Sequence, residues 1–118
     1  YVARHQGDVT AADADAILQK ARGIPRILIA GPATVTAEAA TVFAAQPLLL
    51  LGNESQSVGP ENTPMEVHKL LLGKNTVLLE GIDLTGIPEG PYFLSAAPLN
   101  LAGSDGAPCR AYLIDWES

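Results

Sequence analysis

The 118-residue chain has one cysteine, Cys109. A single thiol cannot close an internal disulfide, and no zinc pattern of four cysteines, or of two cysteines and two histidines, can be assembled around it. A reducing, cytoplasmic setting is expected. Basic residues are also scarce: seven Lys and Arg stand against thirteen Asp and Glu, a formal net charge of -6. That balance repels phosphate backbones and anionic lipid surfaces, so neither nucleic acid nor membrane is expected as a partner. Long apolar runs are missing too. The longest, such as Pro47-Leu48-Leu49-Leu50-Leu51, fall far short of the roughly 20 residues that cross a bilayer. No charged leader followed by an apolar stretch opens the chain, and a soluble protein is expected. The first residue is Tyr1 rather than methionine, which points to a fragment or a processed product.

What is present is enough for one hydrophobic core, since 47% of the residues are hydrophobic and the length is that of a common single domain. The expected organisation is one domain over residues 1–118, or part of a larger one, with no repeats and no linker. Thr10 and Asp13 form a capping-box variant ahead of AADADAILQKAR, and Gly23 and Pro25 close that helix. Thr36 caps a second helix that Pro47 stops. A third runs from about Met65 to Leu72, with Gly73 as its terminator. Between the helices lie three short continuous apolar runs, RILIAG, LLLLG and TVLLEG, each reading as a strand covered on both faces.

Alternating strands and helices with short links predict an α/β fold with a mostly parallel sheet flanked by helices. After Gly90 the pattern changes. PYFLSAAPLNL and CRAYLIDW read as strands joined through the Asp105-Gly106 turn, so a C-terminal antiparallel hairpin is predicted.

Two ionisable groups stand in apolar surroundings. On the third helix Met65, His68, Leu71 and Leu72 fall at spacings of three and four, which places His68 on an inward face. On its own it reads as a core histidine satisfied by a backbone carbonyl. Glu80 ends the third strand, where an unpaired carboxylate costs several kcal/mol on burial. It is either a residue at the solvent lip of the sheet or part of a site, because the carboxyl edge of a parallel sheet is where such folds place their ligands. The helix carrying His68 leads into the strand carrying Glu80, so the two can converge. An imidazole with a carboxylate suits zinc, manganese or iron.

Taken together, PMEVHKLLLGKNTVLLEGIDL and YFLSAAPLNLAGSDGAPCRAYLI resemble the carboxyl half of the cyclase family of metal-dependent hydrolases, which includes bacterial kynurenine formamidase. The pieces come in order: Pro64, His68, Leu71, Leu72, Gly73 and Glu80, then Pro98, Leu99, Leu101, Gly103, Asp105, Gly106, Pro108, Arg110 and Ala111. Similarity runs from about Asp8 to Ile114. The resemblance implies a swivelling β/β/α-like fold. It implies His68 and Glu80 as ligands of a divalent metal, zinc or manganese, that activates water against a formamide or similar small-molecule amide such as N-formylkynurenine. It also implies a homo-oligomer, which an exposed sheet edge or face would favour.

The family's amino-terminal motif, H-x-G-T-H-x-D, is absent, and His5 in ARHQGD reads as a surface residue. Two ligands rarely hold zinc firmly, so the chain alone is expected to be a poor enzyme. The remaining half was removed, or it is a complementing N-terminal chain, or catalysis has been abandoned and the chain is a non-catalytic assembly or binding module. Relatives carry G-I-D-x-x-S after the second strand, where this chain has Gly52-Asn53-Glu54-Ser55-Gln56-Ser57. Asn53, Glu54, Gln56 and Ser57 are candidate substrate contacts, or members of a polar connector. Cys109 reads as a small buried residue rather than a nucleophile, Ser57 lacks the hydrolase elbow, and Trp116 and Tyr112 read as covering core or interface.

Overall fold

The first helix starts where the sequence places it. In the computed structural model, which describes residues 1–116, the Thr10 hydroxyl accepts from the Asp13 N–H at 3.2 Å and Asp13 Oδ2 accepts from the Thr10 N–H at 3.0 Å. This reciprocal cap opens α1 (Ala11–Ala21), and Arg22 closes it in the left-handed conformation. Thr36 caps α2 (Ala37–Ala44) one way only, its hydroxyl accepting from the Ala39 N–H. Pro64, at the first turn of α3 (Pro64–Leu72), sits where its missing donor costs nothing.

The main sheet has four parallel strands, β1 (Val2–Arg4), β3 (Arg26–Ala30), β5 (Leu50–Asn53) and β6 (Val77–Leu79), in the order β1-β3-β5-β6. β2 (Gly7–Val9) and β4 (Ala33–Val35) make a second parallel pair, and β7 (Phe93–Pro98) and β8 (Cys109–Ile114) form the antiparallel hairpin. The α/β architecture with a mostly parallel sheet and a C-terminal hairpin therefore stands.

Alternation along β3 shows why its composition is apolar throughout. Ile27 and Ile29 pack into the cluster beneath the helices with Phe43, Leu51, Val67 and Leu71. Leu28 and Ala30 face the other way, into a cluster with Val2, Leu50 and Leu84 against which Leu94 and Leu113 of the hairpin pack. The sheet is thus covered on both faces, and full burial of each Ile or Leu contributes about 1.5–3 kcal/mol.

Two expectations are corrected. β6 is not a strand covered on both faces but the edge of the sheet, with Val77 57% exposed. On α3, Met65 (61% exposed) and Leu72 (53%) point to solvent, and the buried stripe is Val67 and Leu71. At 100° per residue Val67 and Leu71 lie 40° apart, and His68 stands at the border of their stripe rather than at the centre of an apolar face.

Candidate metal centre

His68 rides on that border of α3, and Glu80 is the residue just past the end of β6, so both reach the carboxyl edge of the sheet. They meet there: His68 Nε2 lies 3.0 Å from Glu80 Oε2, with the side chains 22% and 29% exposed. A carboxylate only accepts, so the ring nitrogen carries the proton of this bond. The Val58 N–H donates to the same oxygen at 2.8 Å. Oε2 therefore takes both donors, while Oε1 has no hydrogen-bond partner among the described residues.

Glu80 also stands in the wall of a cleft of about 650 Å³ between the end of β6 and the hairpin, shared with Leu28, Leu79, Leu84, Leu94 and Leu113. Asp83 lies on the same wall. Hydrogen bonds from the Thr85 side chain and N–H hold its carboxyl below the usual range. Cys109 is also in the wall and half-buried, not the core residue that its strand position predicts. None of Asn53, Glu54, Gln56 and Ser57 lines this cleft.

Those four residues form the loop that leaves β5. Asn53 is fully buried, and its Nδ2 donates to the Ala33 carbonyl at 3.1 Å and to the Ser57 carbonyl at 3.2 Å. Glu54 Oε1 accepts from the Gly31 N–H at 2.8 Å. The Ser57 hydroxyl accepts from the Gly59 N–H at 3.3 Å, while Gln56 is exposed. The loop is stitched onward to the Glu80 segment, since the Gly81 N–H donates to the Ser55 carbonyl and the Ile82 N–H to the Asn53 carbonyl. The contribution of Val58 is a backbone amide, which carries no residue-type signal; only the polar loop between two apolar runs hinted that this stretch borders a site.

His5 is half-buried rather than freely exposed at the surface. Its ring, 21% exposed, lies against the start of α1, with Nε2 2.9 Å from the Asp8 carbonyl and 3.6 Å from Asp13 Oδ2. The turn from β1 into β2 folds it there. Of the two roles expected for Tyr112 and Trp116, covering the core does not hold: both are exposed, and Trp116, at 76%, meets Phe93 edge-on with ring centroids 6.1 Å apart.

Among the described residues no group of three or more His, Cys, Asp or Glu is placed to hold a metal ion. With the ring proton on Nδ1 instead of Nε2, the His68–Glu80 pair fits one in chemistry, as a nitrogen and an oxygen donor meeting at one point with a carboxylate oxygen to spare. It supplies fewer than the three protein donors of a catalytic zinc site. Also among the described residues, no helix is long and apolar enough to cross a membrane.

No protein-family model matches the chain. It is 45% identical over 67 residues to a kynurenine formamidase of Salinibacter ruber, a match covering 56% of this chain and 32% of that protein. It is 39% identical over 80 residues to a kynurenine formamidase of Erythrobacter litoralis, covering 67% of this chain and 37% of the relative. The match spans about a third of the length of these curated relatives. Among solved structures, a potential metal-dependent hydrolase with cyclase activity superposes with a TM-score of 0.82 at 24% identity, over 95% of this chain and 62% of the other. An isatin hydrolase bound to the product analogue thioisatinate gives 0.71 at 17% identity, over 92% and 57%. At such identities these two likenesses speak to the fold. The resemblance to the cyclase family, carried in the sequence by His68, Glu80 and the hairpin motif, is borne out.

Proposed function

We propose that this chain carries part of the centre of a cyclase-type, metal-dependent hydrolase that cleaves the C–N bond of a small amide, a formamide such as N-formylkynurenine being the model substrate. The observation that carries the reading is the 3.0 Å meeting of His68 Nε2 with Glu80 Oε2 at the carboxyl edge of the sheet. His68 and Glu80 would hold a divalent cation, zinc or manganese, and further donors would come from an amino-terminal segment or a complementing chain. When bound, such an ion lowers the pKa of water and polarises a carbonyl oxygen.

The chain's own residues supply the framework. The Val58 amide and the His68 ring fix the Glu80 carboxylate from two sides. Leu28, Leu79 and Leu84 give the cleft apolar walls, which exclude water and suit the body of an aryl amide. Gln56, exposed on the loop after β5, would be the loop's contact to the polar end of a substrate, with Glu54 and Ser57 on the same loop. The reading includes a homo-oligomer in the reducing cytoplasm, consistent with the free thiol of Cys109.

A second reading, a non-catalytic assembly or binding module, is favoured by one observation, the lack of any three-donor group among the described residues. Metal analysis of the purified chain, alone and mixed with an amino-terminal polypeptide carrying the H-x-G-T-H-x-D phrase, separates the two. Stoichiometric zinc or manganese with formamidase activity only in the mixture supports the hydrolase. Absence of metal under both conditions leaves the module.

A further inference from the structure

We propose that Asn53 is a positioning residue for Glu80, acting through a single peptide plane; the part of the inference that concerns metal rests on the reading of Glu80 as a ligand. Asn53 is fully buried at the end of β5, in the middle of a hydrophobic sheet. Its Nδ2 donates to the Ser57 carbonyl at 3.2 Å. That carbonyl belongs to the same peptide unit as the Val58 N–H, which donates to Glu80 Oε2 at 2.8 Å. In a trans peptide the C=O and N–H point in opposite directions, so one donor arriving at the oxygen and one acceptor at the nitrogen form a continuous chain. It runs from the Asn53 amide through the Ser57–Val58 plane to Glu80, and on to His68 Nε2 at 3.0 Å.

The orientation of the Asn53 amide is forced. Both of its donated bonds end on carbonyl oxygens, those of Ala33 and Ser57. A flipped amide would set Oδ1 against one or both of them, so the nitrogen must lie on this side. Oδ1 is left buried without a hydrogen-bond partner among the described residues. A core polar group that gives up its acceptor in order to tether two carbonyls serves the tether, since an apolar residue would fill the same volume without an orphaned oxygen.

The other end of Val58 is held as well: its carbonyl accepts from the Val35 N–H at 2.7 Å. The plane therefore cannot rotate freely about the strand end. A donor on the peptide oxygen also polarises the unit and strengthens the N–H that reaches Glu80. Through these bonds Asn53 sets where the carboxylate points, and so where its second oxygen is presented.

The test uses the 118-residue chain and Asn53→Leu, which keeps the volume in an apolar core and removes the donors together with the orphaned oxygen. In the metal-free chain, loss of the tether moves the Val58 amide proton upfield, in the direction produced by Glu80→Gln. In a Zn²⁺ titration it weakens binding about tenfold, the size of effect usual for partners that orient ligands. A folded Asn53→Leu chain with the Val58 resonance in place and Zn²⁺ affinity unchanged overturns the proposal.

If Asn53→Leu does not fold, scalar couplings across hydrogen bonds in the wild-type chain decide: Asn53 Nδ2 to the Ser57 carbonyl carbon, and Val58 N to the Glu80 carboxyl carbon. Both present support the relay, and absence of either overturns it. Should the wild-type chain alone take up no Zn²⁺, the titration is run on the mixture with the amino-terminal polypeptide; no uptake there either ends the metal reading of Glu80, and the metal-free Val58 resonance still decides the positioning role.

Discussion

Glu80 Oε2 is the meeting point of two elements that the chain keeps apart: the His68 ring, twelve positions earlier on α3, reaches it at 3.0 Å, and the Val58 amide reaches it from the loop after β5 at 2.8 Å. If this pair is a metal half-site, replacing either partner removes a direct donor. Glu80→Ala and His68→Ala should each lower Zn²⁺ affinity by more than the roughly tenfold lost with an outer partner. Isothermal titration of the 118-residue chain measures this. Equal affinity in wild type and both variants would assign the pair to packing alone.

The corrected face of α3 makes a second prediction. Val67 and Leu71 are fully buried against the sheet, so Leu71→Ala should cost about 2–5 kcal/mol through lost transfer energy and the cavity left behind. Met65 and Leu72 are exposed, and Met65→Ser or Leu72→Ser should change stability by no more than about 0.5 kcal/mol. Urea denaturation of the variants ranks them. The reverse ranking would restore the face that the spacing of Met65, Leu71 and Leu72 suggested.

That face shows where sequence reasoning reached its limit. Apolar residues at 65, 67, 70, 71 and 72 satisfy more than one helical stripe, and only the packing partners choose between them. β3 and β5 were legible because a run such as Ile27-Leu28-Ile29 has to be buried on both sides. TVLLEG has the same composition, yet it ends the sheet as an edge strand, and composition does not say how many strands follow. β1, β2 and β4 were not legible at all. Each is three residues long, and β1 and β2 pair with partners 26 positions away, Val2 with Leu28 and Gly7 with Ala33. At the site, His68 and Glu80 were legible as charged groups in apolar context, whereas the Val58 amide and the Asn53 tether depend on how one loop folds back.

Gly31 supplies a third prediction. It follows β3 at φ 107, and a Cβ there would collide with the His5 carbonyl. The conformation and the contact both exclude a side chain, so Gly31→Ala should destabilise by at least about 2 kcal/mol. Gly7, at φ 86, has open space where a Cβ would go, and Gly7→Ala should show only the smaller backbone penalty of about 1 kcal/mol. Comparing the two by thermal denaturation separates close approach from conformational strain.

The outer face of the hairpin predicts association. Phe93 and Tyr112 are exposed on it, with the Trp116 ring set edge-on against Phe93, and clustered exposed aromatics mark interaction surfaces. The chain should self-associate at micromolar concentrations, and Phe93→Ser or Trp116→Ser should shift it toward monomer. Analytical ultracentrifugation over a concentration series reads the change. A wild-type chain that stays monomeric throughout would refute the homo-oligomer.

The α1 cap gives a prediction in pH. Asp13 accepts from the Thr10 N–H and hydroxyl, and these bonds, with His5 adding a smaller attraction, hold its carboxyl below the ordinary value of 3.8. A group whose pKa is depressed by folding contributes stability that is complete above its unfolded value and is lost as the pH falls through the folded one. The part of the stability difference between wild type and Asp13→Asn that comes from the Thr10 bonds should therefore be flat from neutral pH down to about 3.8 and shrink only at lower pH. Thr10→Ala removes the hydroxyl cap and should cost about 1 kcal/mol at neutral pH. The two sites share one network, so the double variant should lose less than the sum of the singles. Full additivity, measured by denaturation at neutral pH, would show that the Thr10–Asp13 bonds do not act together in solution.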